Sequence, residues 1–195
     1  MSRALTICVL LLTVPRAAAA EWHFTPMIGE TFLGRTTIID LEAATDKHHK
    51  NLAGSVVLLG KGVLGVEGLV VWTPGFFQTG NQDLIIKSRT LAVMGNVMVT
   101  APRRWTEYTL RPFVSGGFGL LNASKTEVAA VFPTTLNMSG YNIGGGAIGF
   151  LSNRTGLRFE VRYFNNIGSS DTNAASIGPV NLRYMTASVG VVLRR

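Results

Sequence analysis

After residue 20 the chain has no apolar run of the roughly 20 residues that a membrane-spanning helix needs, yet one segment after another alternates apolar and polar residues with period two. Successive side chains of a strand point to opposite faces of its sheet, so each such segment reads as a strand with one apolar face. The cleanest case sets Leu157, Phe159, Val161 and Tyr163 against Arg158, Glu160 and Arg162. Near the end of the chain, Met185, Ala187, Val189, Val191 and Leu193 oppose Tyr184, Thr186, Ser188 and Gly190. Leu110, Pro112, Val114 and Phe118 oppose Arg111, Ser115, Gly117 and Gly119, and Leu91, Val93, Val97 and Val99 oppose Thr90, Asn96 and Thr100.

Eight strands are expected, at 22–34, 51–60, 63–76, 88–100, 108–120, 140–151, 156–166 and 181–193. Their connections alternate in length. Lys61-Gly62, the stretch Ala101–Glu107 with its breaker Pro102, and Ser152–Thr155 are short, whereas 35–50, 77–87, 121–139 and 167–180 are long and polar or rich in Gly, Ser and Asn. An even strand number with short turns on one side and long loops on the other fits an outer-membrane barrel with both termini in the periplasm. Strands that enter lipid must close into a barrel, because hydrocarbon cannot hydrogen-bond an open edge.

Period-two patterning is symmetric between a soluble barrel with an apolar core and a membrane barrel with an apolar exterior. Composition breaks the tie. Only 15% of the residues are charged against 47% hydrophobic, well below the quarter usual in soluble domains. The polar faces carry mainly Gly, Ser, Thr and Asn, which suit a cramped lumen better than a wetted surface. Trp72, Tyr163 and Phe118 on the apolar faces fit aromatic girdles.

The first 20 residues have the make-up of an export signal: Arg3, then the apolar stretch Ala4–Val14, then Ala18 and Ala20 in an A-x-A arrangement. Residues 1–20 are therefore expected to be cleaved after Ala20, leaving 21–195 as a single barrel domain. The stretch is too short for a retained anchor. The only cysteine, Cys8, lies in this leader, which excludes a disulfide framework and a thiol nucleophile from the mature chain. Loss of Arg3 and Arg16 lowers the net charge from +7 to +5. No basic run interleaved with aromatics is present, so nucleic acid is not an expected partner; the modest positive balance suits an anionic lipid surface.

The chain resembles the small bacterial outer-membrane β-barrel family typified by the transmembrane domain of outer-membrane protein A and the opacity-type proteins. The resemblance is carried by Trp22 and Pro26-Met27-Ile28-Gly29, by Leu64-Gly65-Val66-Glu67 with Thr73-Pro74-Gly75-Phe76, by Arg111-Pro112-Phe113-Val114 with Gly116-Gly117-Phe118-Gly119, by Gly144-Gly145-Gly146, and by Leu157–Tyr163. It implies an all-β fold, an eight-stranded antiparallel up-and-down transmembrane β-barrel, located in the outer membrane and inserted there by the barrel-assembly machinery. Two features depart from the pattern. Such barrels usually end on an aromatic residue that this machinery reads, whereas this chain ends Leu193-Arg194-Arg195. Glu30 falls on the face of Ile28 and Phe32, so it either sits near an interface or is turned inward by a bulge.

The chemically pointed residues are charges on the polar faces: Glu67, Arg111, Arg158, Glu160, Arg162 and Arg183. An isolated buried charge costs several kcal/mol, so a lumenal ion network is expected, with Glu67 and Glu160 each bridging arginines. It serves either as a gate whose bridges exchange partners or as a plug; an eight-stranded interior is only wide enough for side chains, which favours the plug. His23 lies at the periplasmic end of strand one, and His48 and His49 lie in the polar stretch Asp46–Lys50, where solvated loop residues are expected. No His/Ser pair is placed for lipid deacylation, and adjacent histidines rarely converge on one ion. Gly144-Gly145-Gly146 lacks the Lys-Ser/Thr and helix of a phosphate loop and reads as a close backbone approach or a kink within a strand. Asn122, Asn137 and Asn153 fall in chance sequons.

The expected function is therefore a structural or interaction barrel, without catalytic residues, metal or cofactor, that contacts outer-membrane lipid and presents Ile38–Lys50, Gln78–Lys87, Asn122–Asn137 and Gly168–Pro179 to an extracellular partner. The alternatives are a narrow passive pore and, more remotely, a lipid-modifying enzyme. Sequencing the exported protein should give Glu21 as its first residue; a chain still starting at Met1 would exclude a cleaved leader.

Overall fold

The computed structural model describes residues 21–36, 48–60, 63–76, 85–102, 110–127, 134–167 and 181–195; residues 1–20, expected as a leader, lie outside them, as do 37–47, 61–62, 77–84, 103–109, 128–133 and 168–180. Eight strands follow in chain order: β1 (Glu21–Thr36), β2 (His49–Gly60), β3 (Leu64–Pro74), β4 (Ile85–Thr100), β5 (Leu110–Glu127), β6 (Thr134–Phe150), β7 (Thr155–Asn166) and β8 (Leu182–Arg194). Each pairs antiparallel with the next, and β1 pairs with β8, which closes the barrel. At the end that carries Glu21 and Arg195, called the terminal end below, Trp22 and Arg195 exchange both backbone hydrogen bonds across this last seam.

The alternation in the sequence becomes an inside and an outside. On β3, Leu64, Val66, Val70 and Trp72 are exposed, while Glu67, Leu69, Val71 and Thr73 are buried. Phe24, Ile28, Val97, Val114, Phe118, Ile143, Phe159 and Val191 continue the outward apolar belt on other strands, with Phe118 the extreme at 70% exposed. From Leu64 to Trp72 the belt on β3 has about the length that a tilted transmembrane strand needs.

The interior is layered. Next to the terminal end, Val57, Leu59, Met98, Phe113, Ile148 and Val192 form one apolar cluster. Toward the far end, Met27, Leu69, Val71, Phe76, Ala92, Met94, Leu121, Met138, Phe164 and Tyr184 belong to a second. Glu67, Asn96, Ser115, Asn142, Arg158, Glu160 and Arg162 lie in between, all buried.

Three expectations need correction. Residues 121–139, read as a loop, are strand at both ends, with Leu121 opposite Met138 and Ser124 opposite Thr135. This hairpin keeps an apolar inner face but has a polar outer one (Asn122 Nδ2 donates to Asn137 Oδ1 at 2.6 Å), so the contrast that marks a strand elsewhere disappears. His49 is not a solvated loop residue; it opens β2, half-buried, with its ring 6.1 Å from that of Phe76. Arg183 is not lumenal: it shares the outward face of β8 with Met185 and Ala187. Glu30 also points outward, 3.2 Å from His48 Nδ1, and the bulge in β1 lies beyond it, between Phe32 and Arg35.

Closure at this small diameter demands close backbone approach beside the large interior side chains. A Cβ on Gly146 would collide with the Phe159 carbonyl and Glu160 Cα, whereas one on the outward Gly68 would meet nothing. Gly146→Ala is expected to cost roughly 1–3 kcal/mol and Gly68→Ala less than about 0.5 kcal/mol, measured by urea unfolding in detergent micelles. Equal effects would count against this packing.

Candidate functional site: an ion cluster across the barrel

Two carboxylates and two guanidiniums meet in the middle layer. Alternation on β7 sends Arg158, Glu160 and Arg162 inward in succession, and on β3 it does the same for Glu67. In a ring of eight strands β3 and β7 are diametrically opposed, so a contact between them spans the lumen. Arg158 Nη2 donates to Glu67 Oε1 and to Glu160 Oε2, both at 2.5 Å, and its Nε donates to Glu160 Oε2 at 2.9 Å. Arg162 Nη2 reaches Glu67 Oε2 at 3.0 Å, and its Nε reaches Glu160 Oε1 at 3.4 Å. Each glutamate therefore touches both arginines, and the four formal charges sum to zero.

Neutral groups fill the remaining valences. Arg158 Nη1 donates to Ser55 Oγ on β2, Arg162 Nη1 to Asn142 Oδ1 on β6, and Arg162 Nη2 to Ser115 Oγ on β5. Asn96 on β4 donates to Glu67 Oε2 at 2.9 Å and accepts from Asn142 Nδ2 at 2.7 Å. The Arg158 guanidinium also lies 4.5 Å above the Phe113 ring, a cation–π contact strengthened by desolvation. Six strands thus contribute to one network. Planar guanidinium forks can serve several acceptors at once, which a lysine ammonium could not match in this geometry.

Of the six residues named from the sequence, four converge here. Arg111 is buried on β5 but one layer nearer the terminal end, beyond Phe113, where its Nη2 donates to Thr100 Oγ1 at 2.9 Å. Arg183 is outside the barrel altogether, because β8 places odd-numbered residues outward and Tyr184 inward. Period two sets Asn96 and Ser115 on polar faces without marking them as partners, and it gives no sign of Ser55, Asn142 and Phe113. Knowing which strands stand next to or across from one another would have brought them in.

His23 is buried at the terminal end, edge-on to Phe150 at 5.5 Å and with Nε2 3.6 Å from Glu21 Oε2. Among the described residues no three His, Cys, Asp or Glu side chains are grouped to hold a metal ion. The central cluster offers charge compensation and rigidity, because its donors and acceptors are committed to one another. Removing one member of a buried ion set leaves its partners uncompensated, at a cost of about 3–5 kcal/mol. Glu67→Gln should therefore destabilise the barrel by that order in urea titrations, and Arg162→Met in the Glu67→Gln background should recover some of the loss; strictly additive losses would show that the two side chains do not act together.

No protein-family model matches the chain, and no curated protein is similar to it in sequence. Solved structures share its fold. Neisserial surface protein A aligns with a TM-score of 0.61 at 10% identity, covering 91% of this chain and 99% of that one. OprG, an outer-membrane protein of Pseudomonas aeruginosa, aligns at 0.58 with 10% identity over 91% and 97% of the two chains. Ail, the attachment invasion locus protein of Yersinia pestis, aligns at 0.55 with 11% identity over 89% and 99%; it has also been crystallised with the heparin analogue sucrose octasulfate. At these identities the likeness is one of fold: the chain has the architecture of the small eight-stranded outer-membrane barrels.

Proposed function

We propose that the protein is an integral barrel of a bacterial outer membrane with a sealed lumen, and that it acts through contacts made at its rim rather than by conduction or catalysis. The membrane reading is supported by the outward belt. Soluble monomers rarely expose contiguous apolar patches beyond a few hundred Å², whereas here every strand turns at least one large apolar side chain outward, and together these form a belt around the barrel. Insertion through the barrel-assembly machinery follows from that location.

The observation that carries the sealed-lumen reading is the bridge from Arg158 and Arg162 on β7 to Glu67 on β3, with an apolar cluster on either side. An ion crossing this interior would have to break both of these buried salt bridges and also pass two dry layers. The plug reading of the charges therefore outweighs the gate. With the interior filled, the region of the molecule free to act is the rim. There the β5–β6 hairpin rises past the apolar belt with Asn122, Ser124, Thr135 and Asn137 facing outward. Ail, named for attachment and invasion, shares the fold, so a barrel of this kind can carry a contact surface.

Planar-bilayer recording tests the reading. We expect no conductance steps from the wild-type protein. Discrete steps that change in Glu67→Ala would make it a gated pore. Deleting residues 122–137 should abolish attachment to a partner surface and leave the heat-modifiable gel shift of the folded barrel; attachment that survives the deletion would place the contact elsewhere on the rim.

A further inference from the structure

Two costly features coincide at the outer end of the closing seam. In β1, Leu33 has a φ of 51°, the left-handed region that a leucine seldom occupies. Leu33 and Gly34 stand opposite Tyr184 alone, two residues against one, and the register shifts there. A bulge of this kind re-aims the side chains beyond it. Its effect here falls on Arg35. Thr31 points inward and Phe32 lies opposite the outward Met185, so a regular strand would turn Arg35 into the lumen; the bulge turns it outward, directly opposite Arg183. Like charges directly opposite on neighbouring strands destabilise a sheet, and among the described residues no carboxylate pairs with either arginine. Backbone strain held in one place is a reason to look for a function there.

Lys50 and Arg89 extend the pattern. Each stands two residues beyond the end of the apolar belt on its strand, at Leu52 and Leu91, as Arg183 does beyond Met185. Among the described residues, Glu30 is an outward carboxylate close to this group; it lies opposite Lys50 and is engaged with His48. Below the arginine pair a groove of about 680 Å³ runs over β1, β8, β7 and β6. Its floor is low because Ala187, Ala147 and Gly145 are small, Ile28, Val189, Phe159 and Val161 wall it, and Glu30, opposite Ala187 and engaged with His48, stands at its end nearer the arginines. Ala187 is four residues along β8 from Arg183, roughly 13 Å at strand rise. That lies within the roughly 15 Å depth of one leaflet's hydrocarbon.

From this arrangement we propose that the β1–β8 seam is a binding site for a phosphate-bearing outer-leaflet lipid, the lipid anchor of lipopolysaccharide, with a phosphate between Arg35 and Arg183 and an acyl chain in the groove over Ala187. An anion placed between the guanidiniums converts their repulsion into two charge-assisted hydrogen-bonding contacts, which accounts for a bulge that otherwise only brings two cations together. The site rests on the membrane reading above, since the lipid reaches the groove only from within a leaflet.

The test uses the refolded full barrel in neutral detergent, titrated with lipid A, with lipid A stripped of phosphate, and with inorganic phosphate. Arg35→Gln/Arg183→Gln should weaken lipid A binding at least tenfold and raise the urea midpoint of the lipid-free barrel, because repulsion is relieved. A purely structural pair of arginines would not produce opposite signs in these two readouts. Ala187→Leu, which fills the groove, should weaken lipid A binding and leave the lipid-free midpoint unchanged. Dephosphorylated lipid should bind wild type no better than intact lipid A binds the double variant. Unchanged lipid A affinity in the double variant overturns the site, and inorganic phosphate binding as tightly as lipid A reduces it to a free-anion site, which overturns the lipid. Flotation with phosphatidylcholine vesicles separates the two levels: a wild-type barrel that floats but shows no phosphate dependence removes this site alone, and one that does not float removes the membrane reading beneath it.

Discussion

The hydrogen-bonded seam between β1 and β8 is the constraint on which the other features depend. Once Glu21–Thr36 pairs with both β2 and β8, no strand edge is left among the eight and the number of strands sets the width of the interior. That interior is a fixed, narrow volume, and every second residue of each strand must share it. Long side chains can then reach across, as Arg158 and Arg162 do to Glu67. Glycines must face them where there is no room for a second Cβ, as Gly144 and Gly146 do beside β7. The same closure leaves the outer faces nothing to pack against except the surroundings.

A buried ion set is weak evidence of stability, because desolvation offsets much of its Coulomb energy. Its position between two apolar clusters suggests a different contribution. A slip of one residue turns a strand inside out. A slip of two preserves the faces, and apolar burial alone would tolerate it, since one apolar residue would take the level of another, Leu69 that of Val71. The same slip would carry Glu67 out of the middle layer and away from both arginines and Asn96. Ions flanked by dry layers therefore penalise the one register error that hydrophobic patterning cannot detect.

This division also explains what is legible in the sequence. Strand number and the grouping of charges on one face of β7 follow from period two, which is a local signal; antiparallel order follows from the alternating connection lengths, and the outward direction of the apolar face from composition. Where the two faces cease to differ, the signal is lost. The outer stretches of β5 and β6 are polar on their exposed side, and they read as loop. The inward face also carries Val57, Leu59, Met94 and Met98, apolar residues that contrast with nothing when their neighbours are valine or leucine as well. Arg183 is misplaced when a lone charge is weighed by its chemistry, against the parity of Met185 and Ala187 on its own strand. The bulge at Leu33 leaves a weak trace, the following Gly34, and nothing in the sequence says that Arg35 will come to face Arg183 from the other end of the chain.

The terminal end of the seam resolves differently from its outer end. There an aromatic ring from a third strand underlies the contact. Phe150, at the end of β6, lies 5.5 Å below the Arg194 guanidinium and 5.5 Å from the His23 ring, while Arg194 Nη2 donates to Glu21 Oε1 at 2.8 Å. First and last strands are thus tied by an ion pair resting on an aromatic ring from a third strand, beside backbone hydrogen bonds between Trp22 and Arg195. At this end a basic residue meets a carboxylate and a π-face within the protein. At the other end two basic residues meet each other. One seam therefore finishes at one end in a self-satisfied lock and at the other in two facing cations that, among the described residues, no carboxylate balances.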